Sequence, residues 1–365
     1  MKRLVVMAAG TGGHIIPGLA VAREMQRRGW SVSWLGTRHG MENRLVPPQA
    51  QSGIVLDTIA FDGVRGKGLV HTLTGGLRLL KAMWDSLRVL RRRSADVVLG
   101  MGGYVCFPGG LMASLLGKPL MLVNADAALL LSNRSLMPVA DKVAFGFEGE
   151  AASRTRQGVV TGNPVRLEIE QLPPPPERWA TRRGPLRLLV VGGSLGAQVL
   201  NETLPHALAL VEPELRPIVV HQTGERNLAA VQAGYQRAGF SEGEQLQLRA
   251  FIDDMPEQLA ACDLIICRAG AITISELCAA GVPAILVPLV ISTTSHQRDN
   301  AQWMAGHEAA FHVPQAELTP QRLAELLRSV HRVGLLAMAI RARNLARPYA
   351  AQRVADELER LAGVR

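Results

Sequence analysis

The chain has 365 residues, 48% hydrophobic and 19% charged, with 40 Lys+Arg against 31 Asp+Glu for a net charge of +9. These proportions exclude a disordered chain, and the length exceeds one ordinary core, so two domains are expected. The basic excess points to an anionic partner (phosphate, acidic lipid or nucleic acid), while aromatics at 4% argue against a base-stacking platform.

In chain order, residues 4–7 form a short apolar run, the pattern of a strand buried on both faces. Gly10-Thr11-Gly12-Gly13-His14 follows, and after Pro17 the residues Leu19, Ala20, Ala22 and Met25 recur at helical spacing. A strand that ends in a glycine turn before a helix exposes backbone N–H groups at the positive end of the helix dipole, where phosphate binds. His14 is either a proton-transfer group beside that cradle or a turn histidine bonded to backbone. Further strands are expected at 32–35, 97–99, 120–123 and 143–145, alternating with helical intervals, which predicts a parallel sheet covered on both faces. A second cluster, Gly100-Met101-Gly102-Gly103-Tyr104, ends the strand at Val97, and Pro108-Gly109-Gly110 opens another helix. Two such turns at carboxyl ends of strands build one wall of a crevice.

The stretch 63–93 carries Arg65, Lys67, Arg78, Lys81, Arg88, Arg91, Arg92 and Arg93 against the single acid Asp85. Leu69, Val70, Leu73, Leu77, Leu80, Met83, Trp84 and Leu87 are interleaved. The mixture reads either as a helix lying on an anionic bilayer or as a core helix whose basic face is solvated, with Leu77, Leu80, Trp84 and Leu87 as a buried stripe. No recognised nucleic-acid module surrounds it.

A boundary is placed near Gly162, dividing the chain into 1–162, 163–346 and a terminal helix in 347–365 that packs back on the first domain. Pro173-Pro174-Pro175-Pro176 reads as an extended surface segment. Residues 186–191, then Gly192-Gly193-Ser194-Leu195-Gly196-Ala197 and a helix from Gln198, repeat the opening design. Strands follow at 218–221, 247–248 and 264–267, and Arg268-Ala269-Gly270-Ala271 leads into a helix that Thr273 or Ser275 would cap. Glu276, in its first turns, suits either a ribose or the helix dipole. Another buried strand is expected at 283–288, followed by His296-Gln297, where Gln297 is a sugar ligand or a plain loop residue. The fold expected is therefore α/β, two Rossmann-like doubly wound parallel-sheet domains facing across a cleft.

Cys106, Cys262, Cys267 and Cys278 form no C-x-x-C pair and read as reduced core residues of a cytoplasmic protein. The first strand begins at once, so no signal peptide is expected, and no apolar run approaches the roughly 20 residues of a spanning helix.

Seven motifs occur in a fixed order: Thr11-Gly12-Gly13-His14 with Pro17-Gly18, Arg65-Gly66-Lys67-Gly68, Gly100-Met101-Gly102-Gly103-Tyr104, Gly162-Asn163-Pro164-Val165-Arg166, Gly192-Gly193-Ser194, Phe251-Ile252-Asp253-Asp254-Met255 and Cys267-Arg268-Ala269-Gly270-Ala271. Together they resemble the bacterial MurG family over nearly the whole chain. The resemblance implies a GT-B inverting glycosyltransferase that moves N-acetylglucosamine from UDP-GlcNAc to the C4 hydroxyl of the muramyl sugar of lipid I, giving lipid II for peptidoglycan. It implies that Ile252 holds uracil through its backbone and Glu276 the ribose. Ser194, Arg166 and the helix starts near Gly193 and at Ala271, Ile272 and Thr273 would hold the diphosphate, with Gln297 on the sugar. Thr11, Gly12 and Gly13 would approach the donor and the acceptor pyrophosphate, and His14 would be the general base. No Asp-x-Asp pair is present, so no metal and no cofactor are expected. The resemblance also implies peripheral docking on the cytoplasmic face of the inner membrane through Arg65, Lys67, Leu77, Lys81 and Trp84, and partners in wall synthesis. Two loops depart from the family. Val123-Asn124-Ala125-Asp126 stands where His-Glu-Gln-Asn is usual, so the asparagine contact to the sugar falls on Asp126 or, with a shifted loop, on Asn124. Thr294-Ser295 replace two acids before His296-Gln297. The rival readings are a related transferase or epimerase with another acceptor, and a membrane-bound sensor of UDP-GlcNAc.

Overall fold

The computed structural model describes residues 1–10, 12–61, 69–193, 196–289 and 296–363, with backbone alone at 69–74. Arg65, Lys67, Thr11 and Ser194 therefore lie outside the described residues, as do Thr294 and Ser295. The chain divides into two compact units: Met1–Val165 with Tyr349–Arg365, and Arg166–Pro348.

Unit 1 is built on a seven-stranded sheet in the order β3-β2-β1-β4-β5-β6-β7. The strands are β1 (Arg3–Ala8), β2 (Ser31–Thr37), β3 (Val55–Ile59), β4 (Val97–Gly102), β5 (Leu120–Asn124), β6 (Lys142–Phe145) and β7 (Gly158–Val160). Every pairing is parallel. The alternation of β1 explains its central place. Leu4, Val6 and Ala8 enter the core on one face, and Val5 and Met7 enter the core on the other. The Gly12–Arg27 helix covers the first face, joined there by the Ala350–Leu361 helix through Val354, Ala355 and Leu358. Arg28 ties the two helices together, at 2.7 Å from both Asp356 and Glu359.

Unit 2 repeats the plan with six parallel strands in the order β10-β9-β8-β11-β12-β13. They are β8 (Arg187–Val191), β9 (Ile218–Gln222), β10 (Leu246–Arg249), β11 (Leu264–Cys267), β12 (Ala284–Leu286) and β13 (Ala310–His312). In each sheet the strand order reverses once, between β1 and β4 and between β8 and β11. Ligands of open parallel sheets bind outside the carboxyl ends of such strands. The four glycine turns singled out in the sequence follow these four strands.

Several expectations are corrected. β3, β7 and β13 were not anticipated. The polar Asp57 interrupts the apolar pattern of β3, yet it is buried because Arg92 and Arg93 pair with it. The proline run is not wholly extended: Pro175 and Pro176 open a short helix, Pro175–Trp179, at the positions where a missing N–H costs nothing. The Ala271–Ala280 helix is capped by neither Thr273 nor Ser275; Gly270 stands at its N-cap with no side-chain bond, and Ser275 Oγ donates back to the Ala271 carbonyl at 2.9 Å. The buried-stripe reading of the Leu69–Arg93 helix fails for three residues, since Leu77, Leu80 and Trp84 are 69%, 63% and 60% exposed. Leu87 alone of that set is buried, with Ala82 and Leu90 on the core side.

Candidate active site

In unit 1, Gly12, Gly13 and His14 form the first turn of the Gly12–Arg27 helix. Its loop interlocks with the glycine turn after β4. The Ala9 N–H donates to the Gly102 carbonyl at 3.2 Å. A Cβ on Gly103, whose φ is +89°, would fall 2.3 Å from the Ala9 carbonyl oxygen. A Cβ on Gly102 would fall 2.5 Å from His14 Cδ2, so the imidazole lies against a backbone stripped of side chain. His14 Nδ1 is 3.4 Å from the Ala9 carbonyl. A carbonyl only accepts, so the proton sits on Nδ1 and Nε2 carries the basic lone pair. Burial holds the His14 pKa below the ordinary imidazole value, with the Ala9 bond and the charge of Asp126 working against it. The ring is accordingly neutral and basic at pH 7, the form a general base requires.

The loop after β5 decides between Asn124 and Asp126. Asn124 is fully buried, and its amide is spent inside the loop: Nδ2 donates to the Asp126 and Ala128 carbonyls at 2.8 and 3.1 Å, and Oδ1 accepts from the Leu130 N–H and from Asn133. It is a loop brace, and its candidacy as a sugar ligand is withdrawn. Asp126 is half-buried, and its charge reaches His14.

In unit 2, the structure brings Arg166 and Glu276 together in a two-point fork, Nε to Oε1 at 2.7 Å and Nη2 to Oε2 at 3.0 Å. Ala271, Ile272 and Thr273 make the first turn of the same helix, whose starting N–H groups have no side-chain cap. Gln297 is half-buried, and its Oε1 accepts from both the Ala269 and Leu289 N–H groups, at 3.3 and 2.9 Å. Two converging donors fix that oxygen and so set the direction of the amide NH2. Asn300, one turn on, donates to the Ala269 carbonyl at 3.1 Å, so the peptide before the helix start is gripped on both sides.

Two residues escaped the sequence. Gln222 ends β9 and is 2% exposed. Its Nε2 donates to the Gly193 carbonyl at 2.8 Å and its Oε1 accepts the Ile252 N–H at 3.2 Å. It thus links the glycine turn after β8 to the backbone at Ile252. Glu42 is fully buried beneath the β1 turn and accepts the Gly10 N–H at 3.2 Å. Neither stands in a recognisable motif, because the turn atoms they hold, Gly10 for Glu42 and Gly193 for Gln222, come from distant segments of the chain.

Two doubly wound units, amide-rich turns at both switch points, an arginine–carboxylate fork on one and a neutral imidazole on the other define a nucleotide-sugar glycosyltransferase of the GT-B class. The models of the glycosyltransferase family 28 N-terminal and C-terminal domains match residues 4–145 and 187–354. The chain is 70% identical over 360 residues, 99% of its length and 98% of the relative's, to a UDP-N-acetylglucosamine--N-acetylmuramyl-(pentapeptide) pyrophosphoryl-undecaprenol N-acetylglucosamine transferase of Methylibium petroleiphilum. It is 62% identical over 362 residues to the protein of the same name from Chromobacterium violaceum, covering 99% of each. Its structure is similar to crystalline Acinetobacter baumannii MurG, with a TM-score of 0.84 at 38% identity over 99% of this chain and 100% of that one. The chain belongs to the MurG family of glycosyltransferase family 28.

Proposed function

We propose that the protein transfers N-acetylglucosamine from UDP-GlcNAc to the C4 hydroxyl of the muramyl sugar of lipid I, with inversion, giving lipid II. The observation that carries this reading is 70% identity over 99% of the chain to a transferase of that name. The acceptor oxygen attacks the anomeric carbon as the bond to UDP breaks. The hydroxyl proton passes to His14 Nε2, and the electron pair leaves with the diphosphate. Arg166, the glycine turn at Gly193 and the helix start at Ala271 stabilise that developing charge, the main electrostatic task of such a transfer. Glu276 takes the ribose hydroxyls, so donor binding must share or open its fork with Arg166. Gln297 donates to the sugar.

The acceptor is a lipid, and the Leu69–Arg93 helix supports delivery from a membrane surface. Leu77, Leu80, Lys81, Trp84, Arg88 and Arg91 are exposed at helical spacing, a stripe of apolar and basic side chains suited to an anionic leaflet. Among the described residues no helix is long and apolar enough to cross a membrane. Docking on the cytoplasmic leaflet, where lipid I is presented, completes the reading.

The test is product analysis with purified protein, UDP-GlcNAc and lipid I. A disaccharide product supports the proposal, and failure to extend lipid I while another acceptor is glycosylated overturns it. Co-sedimentation with anionic vesicles should weaken in high salt and fall further in a Leu77→Ser/Trp84→Ser variant; equal binding by the variant removes the stripe from the proposal.

A further inference from the structure

A fully buried carboxylate lies under a turn whose N–H groups otherwise attract anions. Glu42 Oε1 accepts from the Thr37 N–H at 2.5 Å and from Thr37 Oγ1 at 2.6 Å. Its Oε2 accepts the Gly10 N–H at 3.2 Å. Three glycines serve this contact in two different ways. At Gly10 φ is +94° and a Cβ would meet nothing within 4 Å, so glycine is needed there for the backbone direction that aims the N–H inward. At Gly36 and Gly40 a Cβ would fall 2.6 Å from Glu42 Cγ and 2.1 Å from Oε2, so glycine is needed there for room. The short Glu42–Leu45 helix also abuts the turn directly, since a Cβ on Gly12 would touch Leu45 Cδ1 at 4.0 Å.

We propose that Glu42 is a positioning residue for the acceptor: it occupies the Gly10 amide as an internal anion and thereby fixes the turn that presents Gly12, Gly13 and His14. This rests on the reading of unit 1 as the acceptor side. In a dinucleotide fold the amides of such a turn receive a ligand phosphate. Here the first of them is already satisfied, so an acceptor diphosphate must take the amides at the start of the Gly12–Arg27 helix, next to the base. A second consequence follows from charge. Burial raises the Glu42 pKa, but the Thr37 and Gly10 donors outweigh it, and the group stays ionised. The ionised carboxylate accepts the Gly10 N–H more strongly than a neutral group would, so the turn stays anchored at neutral pH.

The test is steady-state kinetics of Glu42→Gln with lipid I and UDP-GlcNAc varied in turn. The substitution keeps the volume but turns one acceptor oxygen into a donor, so one of the three donors meets another donor. The acceptor KM should rise about tenfold, with the donor KM unchanged within about twofold. A purely structural brace would lower the melting temperature and the active fraction and leave both KM values alone; that result overturns the proposal. Should Glu42→Gln fail to fold, Thr37→Val removes a single donor to Oε1 and should raise the acceptor KM about twofold to threefold; an unmoved KM there overturns the proposal equally. If the unaltered protein itself does not extend lipid I, the functional reading falls and this inference falls with it. If the unaltered protein is active and the acceptor KM of the variant is unmoved, only the inference falls.

Discussion

The two units carry the same strand–glycine–helix turn at their switch points, and they brace it with opposite chemistry. Under the β1 turn lies an anion, Glu42, bonded to the Gly10 amide. Under the β8 turn lie neutral amides: Gln222 holds the Gly193 carbonyl, and Asn201 Nδ2 donates at 3.0 Å to the Thr223 carbonyl, against which Gly196 packs. The difference follows from what each turn faces. A diphosphate that gains charge as it leaves needs every local dipole in its favour, so its turn is supported by groups that add no charge. A turn that presents a neutral base tolerates a buried carboxylate and gains a rigid anchor from it. The same backbone device is thus specialised through the charge of the side chain behind it.

Substitutions on the two sides should separate cleanly. The largest effect is expected from His14→Ala, where kcat should fall on the order of 10²-fold or more with donor affinity unchanged, as for loss of a general base. Near-normal turnover would remove His14 from the chemistry and with it the functional side of the comparison. Next in size, Gln222→Leu should raise the donor KM about tenfold and leave the acceptor KM alone, because the Ile252 N–H and Gly193 carbonyl lose their common partner. That is the mirror image of the Glu42→Gln pattern. If both variants moved the same KM, the division of labour between the turns would be wrong.

What the sequence disclosed about these sites, and what it hid, has one physical cause. Glycine turns are legible because the constraint is intrinsic to the residue, so the ends of β1, β4, β8 and β11 stand out along the chain. His14 and Glu276 were candidates through their place beside those turns, Gln297 through its place after the strand at 283–288, and Arg166 only through the family resemblance. Glu42 and Gln222 were not, since the turn that each holds, at Gly10 and at Gly193, reaches it only when strands pair. Asn124 was offered as the place of the family's sugar-binding asparagine if the loop shifted, but the fold turns the side chain inward to tie its own loop. β3 escaped because Asp57 looks like a strand breaker until Arg92 and Arg93 of a distant helix neutralise it. Side-chain identity announces chemistry, whereas the direction a side chain points belongs to the tertiary structure.

A separate readout, pH, concerns two histidines, one in each unit, both held below their ordinary pKa by burial. His221 is fully buried, accepting from Tyr235 Oη at 3.0 Å on Nδ1 and donating from Nε2 to Asn201 Oδ1 at 3.1 Å. With both nitrogens satisfied by neutral groups, its pKa is pushed down to about 4. The unfolded chain therefore binds more protons than the native one between that value and about 6.5, so stability rises with pH across the window. Acidification should cost up to about 3 kcal/mol, beginning below pH 6.5 and levelling off near pH 4. A His221→Gln variant should flatten that part of the stability curve, and an unchanged slope would refute the assignment. His14 should show itself elsewhere, as an acid limb in kcat lying below the ordinary histidine range. Because the negative charge of Asp126 opposes the shift, Asp126→Asn should move that limb further toward acid without touching the His221-dependent slope. A limb that moves the other way would mean that Asp126 reaches His14 by some route other than charge.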